Sequence, residues 1–192
     1  MAITKDREYR GFDFNLEEKE DKMVVEGRAI VFNTPTVLFE MDGVEYKEKI
    51  DSRALEGVDL SDVVLVIDHA GKPAARTRNN TLQLDLRKDG LYIRADLSKN
   101  ETGRELYEDI KNGFFDTMSF AFTVEEDEYD KRNHMRTVSK IKRIFDVSAV
   151  SFPAYEKTSI QARNRIEEAE AEIEALEKAK ELRKRLILKT YF

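Results

Sequence analysis

The chain has no cysteine among its 192 residues, which excludes structural disulfides, thiolate metal sites and a cysteine nucleophile. Its two histidines, His69 and His134, are too few for a multi-histidine metal centre. There is no glycine-rich phosphate loop, and no apolar run approaches the length of a membrane span. The opening "MAITKDREYR" lacks the apolar segment of a signal peptide, so an intracellular, soluble protein is expected. What the chain has in quantity is charge. Asp, Glu, Lys and Arg make up 38% of it, and the net charge of -6 gives no general bias toward nucleic acid. The length fits one domain with an appendage, enough to bury a core without disulfides or metals.

Strand patterns dominate the first 155 residues. "KMVVEGRAIVF" (22–32) reads as a strand whose glycine marks a bulge or close approach, and "NTP" turns the chain after it. "DVVLVIDH" (62–69) is a short apolar run ending at a histidine, the pattern of a buried strand. "TLQLDLRKDGLYIRADL" (81–97) is a hairpin, with Leu82, Leu84 and Leu86 alternating before the "KDG" turn and Leu91, Ile93 and Ala95 after it. A helix follows. Thr102 and Glu105 have capping-box spacing, Leu106 and Ile110 lie one turn apart, and Asn112-Gly113 ends it. "FFDTMSFAFTV" (114–124) is a strand with Met118, Phe120, Phe122 and Val124 on one face and Ser119, Ala121 and Thr123 on the other. The charged "EEDEYDKRNHMR" (125–136) is expected at a hairpin tip, and "SKIKRIFDVSAVSFPAY" (139–155) as a long strand ended by Pro153.

The character changes near residue 160. The remainder has no glycine or proline and is rich in helix formers. Ile166, Ala169, Ile173 and Leu176 keep a 3-4 spacing, continued after a slip by Ala179, Leu182 and Leu186. Its first half is acidic and its second half basic, which suits the helix dipole and antiparallel pairing. The narrow stripe predicts a helix that meets a partner or lies loosely on the domain. The expected organisation is a domain over 1–158 and a helical extension over 159–192.

Three polar residues sit at odds with the apolar strands that carry them: His69, Ser119 and Asp146. A nucleophilic serine needs a base to take its proton, and the base needs a third group to hold its tautomer and stabilise its charge. The residue types meet that requirement, but each also has an ordinary explanation. A histidine at a strand end serves as a polar boundary, and a serine within a strand as filler; no Gly-x-Ser-x-Gly elbow is present. A carboxylate among apolar residues demands hydrogen-bond donors or a cation, for which Lys142 or Arg143 would serve as well as a histidine.

The order of these segments resembles the prohead (procapsid) maturation serine proteases of tailed bacteriophages, over about residues 24 to 160. The resemblance lies in "EGRAIVFNTP", "YKEKIDSRAL", "VIDHAGKPAARTRNNTLQLDLRKDGLYIRADL", "ETGRELYEDIKNGFFDTMSFAF" and "IFDVSAVSFPAY", five blocks in sequence. It implies that His69 is the catalytic histidine, Ser119 the nucleophile and Asp146 the third member, where the family often has Glu. Three positions depart from the family pattern: Ala70 replaces the Asp after the histidine, Ala75 the Gly before Arg76, and Ala121 the Gly after the serine. None is a triad member. Related assemblin-type herpesvirus proteases use a second histidine, for which His134 is the candidate here; its place in a charged hairpin tip favours Asp146.

The resemblance implies an α+β fold, a mainly antiparallel β-barrel of herpesvirus-protease type with flanking helices, extended by the long C-terminal helix. It also implies a serine endopeptidase without metal or other cofactor, with the Ala75-Arg76 segment suggested for the oxyanion. The expected partners are the major capsid protein and scaffold, as substrates and assembly partners, with self-cleavage and a homo-oligomer as further expectations. Neither nucleic acid nor membrane is expected as a partner, and the expected location is the host cytoplasm, packaged inside the procapsid. Two other readings stand beside it: a scaffolding protein without activity on the same fold, and nucleic-acid binding through the basic stretch Arg183 to Lys189.

Overall fold

The computed structural model describes residues 7–13, 23–151 and 155–190. Among these residues, ten strands and two α-helices follow one another in the order β1 (Glu8–Asp13), β2 (Val24–Val31), β3 (Thr36–Met41), β4 (Val44–Ile50), β5 (Val64–Ile67), β6 (Ala70–Arg76), β7 (Leu82–Arg87), β8 (Gly90–Asp96), α1 (Glu101–Lys111), β9 (Thr117–Asp130), β10 (Met135–Val150) and α2 (Tyr155–Thr190). The fold is therefore α+β and mostly strands. The larger sheet has seven strands in the order β1-β9-β10-β4-β3, with β5 and β6 attached through β10. The smaller sheet has the order β2-β8-β7. An isolated parallel bridge between Phe32 and Ile50 links them, and among the described residues the ladders do not close into the expected barrel.

Strand β10 organises the large sheet. It pairs antiparallel with β9 along nearly its whole length, and parallel on its other edge with β4 at its start and β5 at its end. The two sheets and α1 share one apolar core. Ile30, Leu82, Leu91, Ile93, Leu106, Phe120, Phe122, Ile144 and Val147 are among its members. The alternation predicted for β8 holds, with Leu91, Ile93 and Ala95 all buried. On β7, the edge strand of its sheet, burial fades toward the turn, from buried Leu82 to exposed Leu86.

Helix α1 begins two residues earlier than its capping-box pattern implies. Asn100 is the N-cap, its side-chain oxygen accepting the Gly103 N–H at 2.6 Å while its amide donates to the Pro73 and Ala74 carbonyls of β6. Gly103 permits that close approach, since a Cβ there would lie 2.5 Å from the Leu97 carbonyl oxygen. Asn112 and the left-handed Gly113 end the helix as expected.

The C-terminal helix is more closely tied to the domain than its narrow stripe predicts. Ala162 and Ile166 are fully buried against Leu38 and Tyr46 in a second, smaller core. Glu170 accepts a hydrogen bond from the Tyr129 hydroxyl at 2.9 Å, and Glu174 pairs with Lys131. Beyond that point the helix exposes its apolar side chains, Leu176, Leu182 and Leu186 each being more than half exposed. Pro153, expected to end the preceding strand, lies outside the described residues.

Candidate active site

The histidine is placed by a tight hairpin. Ile67 pairs with Ala70, so Asp68 and His69 form a two-residue loop between β5 and β6. Both are left-handed, at φ 47° and 56°, as a type I′ turn requires. Asn-Gly is the usual sequence for such turns; Asp and His are among the few other residues that tolerate this region. The end of β10 holds the loop in place. The Asp68 N–H donates to the Ala149 carbonyl at 2.9 Å, and the Asp68 carboxylate accepts from both the N–H and the hydroxyl of Ser151. The acid beside the histidine here is thus a structural clasp that precedes it, in a chain where Ala70 follows it.

Ser119 lies on β9 with its side chain on the face opposite Met118 and Phe120, as the alternation predicts, and it is 1% exposed. Asp146 reaches the same face through a β-bulge. Ile144 pairs with Phe122, but the next pair is Asp146 with Ala121, which leaves Phe145 as an extra residue. Without that insertion Asp146 would share the core-facing phase of Ile144. The bulge flips the phase, so Val147 faces the core opposite Phe120, while Asp146 and Ser148 lie opposite Ala121 and Ser119. The displaced Phe145 ring is held by guanidinium groups, Arg7 at 3.8 Å and Arg143 at 4.9 Å from its centroid.

These elements bring the three side chains into one hydrogen-bonded line. His69 Nε2 is 2.9 Å from Ser119 Oγ, and His69 Nδ1 is 2.6 Å from Asp146 Oδ1. A carboxylate can only accept here, so Nδ1 carries the proton and Nε2 is free to accept from the serine hydroxyl. The partners of Asp146 are His69 and Ser148; the alternative cation Arg143 lies over Phe145 instead. Ala121, a small residue beside Asp146, leaves the face open for the imidazole.

Two residues that sequence reasoning passed over complete the site. Ser148 is fully buried, 2.9 Å from Asp146 Oδ1 and 3.1 Å from His69 Nδ1. Its place two residues after Asp146 in one strand was a legible signal for a shared face. Tyr9 of β1 packs its ring edge-on to His69 at 4.5 Å. Strand β1 runs along the free edge of β9, with Gly11 opposite Ser119 and Tyr9 opposite Ala121. Its other face carries Glu8 and Arg10 into a buried ion network with Glu48 of β4 and Arg136 of β10. Burial alone would raise the Glu8 carboxyl, but Arg136 and Arg10 hold it at a pKa of about 2.

The other candidate positions lie apart from this line. His134 sits in the β9–β10 turn, edge-on to Tyr46 and 3.9 Å from Glu170 of α2. It therefore belongs to the docking of α2, which disfavours it as the third member. The Arg76 N–H, suggested for the oxyanion, is engaged by Thr81 Oγ1 at 2.8 Å, and its guanidinium is paired in two-pronged fashion with Asp62.

The sequence profile of a family described as caudovirus prohead serine protease matches residues 12–172. The chain belongs to that family. Membership supports a serine protease. No curated protein matches in sequence. Among solved structures, the fold is similar to that of the bacteriophage T4 capsid assembly protease gp21, with a TM-score of 0.51 at 15% identity. That similarity covers 77% of this chain and 98% of the other.

Proposed function

We propose that this prohead protease is a serine endopeptidase with Ser119 as nucleophile, His69 as general base and Asp146 as the group that orients and stabilises the imidazolium. The observation that supports it most directly is the unbroken line from Ser119 Oγ through the imidazole to Asp146, at 2.9 and 2.6 Å. Ser119 attacks the scissile carbonyl as His69 Nε2 takes its proton. The same nitrogen returns the proton to the leaving amine, which breaks the peptide bond and leaves an acyl-enzyme that water hydrolyses. The oxyanion needs backbone N–H donors other than that of Arg76. The proposed substrates are scaffold or the scaffold-like segment of the major capsid protein, and the protease itself, inside the procapsid. The exposed leucines of α2 beyond Glu174 fit a handle for helical scaffold or for self-association.

The test is co-expression of Ser119→Ala with the capsid and scaffold proteins. Processing is expected to stop while the variant remains folded. Continued processing would show that Ser119 is not the nucleophile.

A further inference from the structure

We infer that Ser148 is a positioning residue that holds the Asp146 carboxylate against His69 Nδ1, and so keeps the tautomer able to activate Ser119; this rests on the proposed roles of His69, Ser119 and Asp146. Ser148 has a single proton to give, and three groups surround its oxygen. The His69 backbone N–H points at it from 3.2 Å, Asp146 Oδ1 lies at 2.9 Å and His69 Nδ1 at 3.1 Å. The amide can only donate, so it takes a lone pair of the hydroxyl. The carboxylate can only accept, so it takes the hydroxyl proton.

If the serine proton went instead to Nδ1, the bare nitrogen would face Asp146 Oδ1 at 2.6 Å, two acceptors in contact with no proton between them. The arrangement is therefore self-consistent in one state. Nδ1 is protonated, donates to Asp146 and shares the edge of the Ser148 oxygen, which leaves Nε2 unprotonated toward Ser119.

The same hydroxyl has a second task. By accepting the His69 amide it ties down a backbone at φ 56°, a conformation that side chains with a Cβ rarely adopt. Asp68 anchors one half of the turn to β10 and Ser148 anchors the other. Its register opposite Ser119 sets nucleophile and anchor side by side across β9 and β10.

The test measures labelling of the full chain by a fluorophosphonate, together with ¹⁵N NMR of the histidine rings in a His134→Gln background. Ser148→Ala is expected to slow the bimolecular inactivation step about 10- to 100-fold while leaving reversible binding of the reagent unchanged. His69 should change from the Nδ1–H form to a mixture of tautomers as the Asp146 carboxylate, released from the hydroxyl, swings off Nδ1. Ser148→Thr, which keeps the hydroxyl, should restore both rate and tautomer. Labelling of Ser148→Ala within twofold of the parent, or a loss that Ser148→Thr shares equally, overturns the inference. So does an Nε2–H tautomer in the parent protein, a measurement that stands even if Ser148→Ala fails to fold. Ser119→Ala separates the two layers: persistent labelling of that variant refutes the proposed nucleophile, whereas unaltered labelling of Ser148→Ala refutes only the positioning role.

Discussion

Replacing Asp146 by Asn tests the proposed mechanism with the least disturbance to the fold. The two side chains are nearly isosteric, and Asp146 is 5% exposed, so packing is conserved while one buried charge is removed. Under the proposed mechanism the loss falls on the step in which His69 becomes an imidazolium. A pair of unit charges about 4 Å apart at an effective dielectric of about 20 is worth roughly 4 kcal/mol. That corresponds to a rate loss of about 10³-fold. A second effect adds to it. If the Asn amide turns its NH₂ toward Nδ1, the proton is forced onto Nε2 and the histidine can no longer accept from Ser119. Stability should move the other way or not at all, because a buried carboxylate is replaced by a neutral amide. The assay pairs the fluorophosphonate labelling rate with thermal unfolding. A folded Asp146→Asn protein that labels within threefold of the parent would refute the role of Asp146. A loss of activity that tracks a loss of stability would refute the electrostatic explanation.

Three further expectations concern the scaffold around the site. Arg136 is 2% exposed on its side chain and touches Glu8, Glu48 and Asp127, so Arg136→Met leaves the buried Glu8 and Glu48 to Arg10 and leaves Asp127 to the exposed Arg165. A loss of about 3 to 5 kcal/mol is expected in denaturant unfolding, and a loss below about 1 kcal/mol would refute the network's importance. The depressed Glu8 carboxyl adds stability that is complete above its ordinary pKa of 4.5 and is lost as pH falls toward about 2. Stability curves of the parent and Glu8→Gln should therefore lie a constant distance apart above about pH 4.5 and converge as pH falls toward about 2, and curves that stay parallel through that window would contradict the assignment. Truncation after Ala175 should preserve folding and labelling but reduce incorporation into procapsids, since residues 176–186 of α2 are exposed. Truncation after Ile160 should also destabilise the domain, because it strips Ala162 and Ile166 from Leu38 and Tyr46; equal melting temperatures for the two would show that this contact contributes nothing.

The parts of this molecule that were legible in its sequence are those whose periodicity is local and unbroken. The alternation of β8 and β9, the end of α1 at Asn112-Gly113 and the change to helix near residue 160 all have this character. Strand β1 was not legible, because its inward positions are Glu8 and Arg10, charges that make sense only beside Glu48 and Arg136 from distant strands. The turn at Asp68-His69 was hidden for a different reason. Turn chemistry favours Asn-Gly there, and the hydrogen bonds that hold this pair in left-handed geometry come from Ser148 and Ser151, about eighty residues away. The case of Asp146 is the most instructive. Counted by twos from Ile144, both Asp146 and Ser148 belong to the core face, whereas Val147 and Ala149 point away from it. Two polar residues in the buried phase and two apolar residues in the other are improbable as an error at a single position, and one inserted residue reconciles all four. The bulge at Phe145 was thus implicit in the pattern, because the polar pair falls in phase with the core residue Ile144 and out of phase with the apolar Val147 and Ala149.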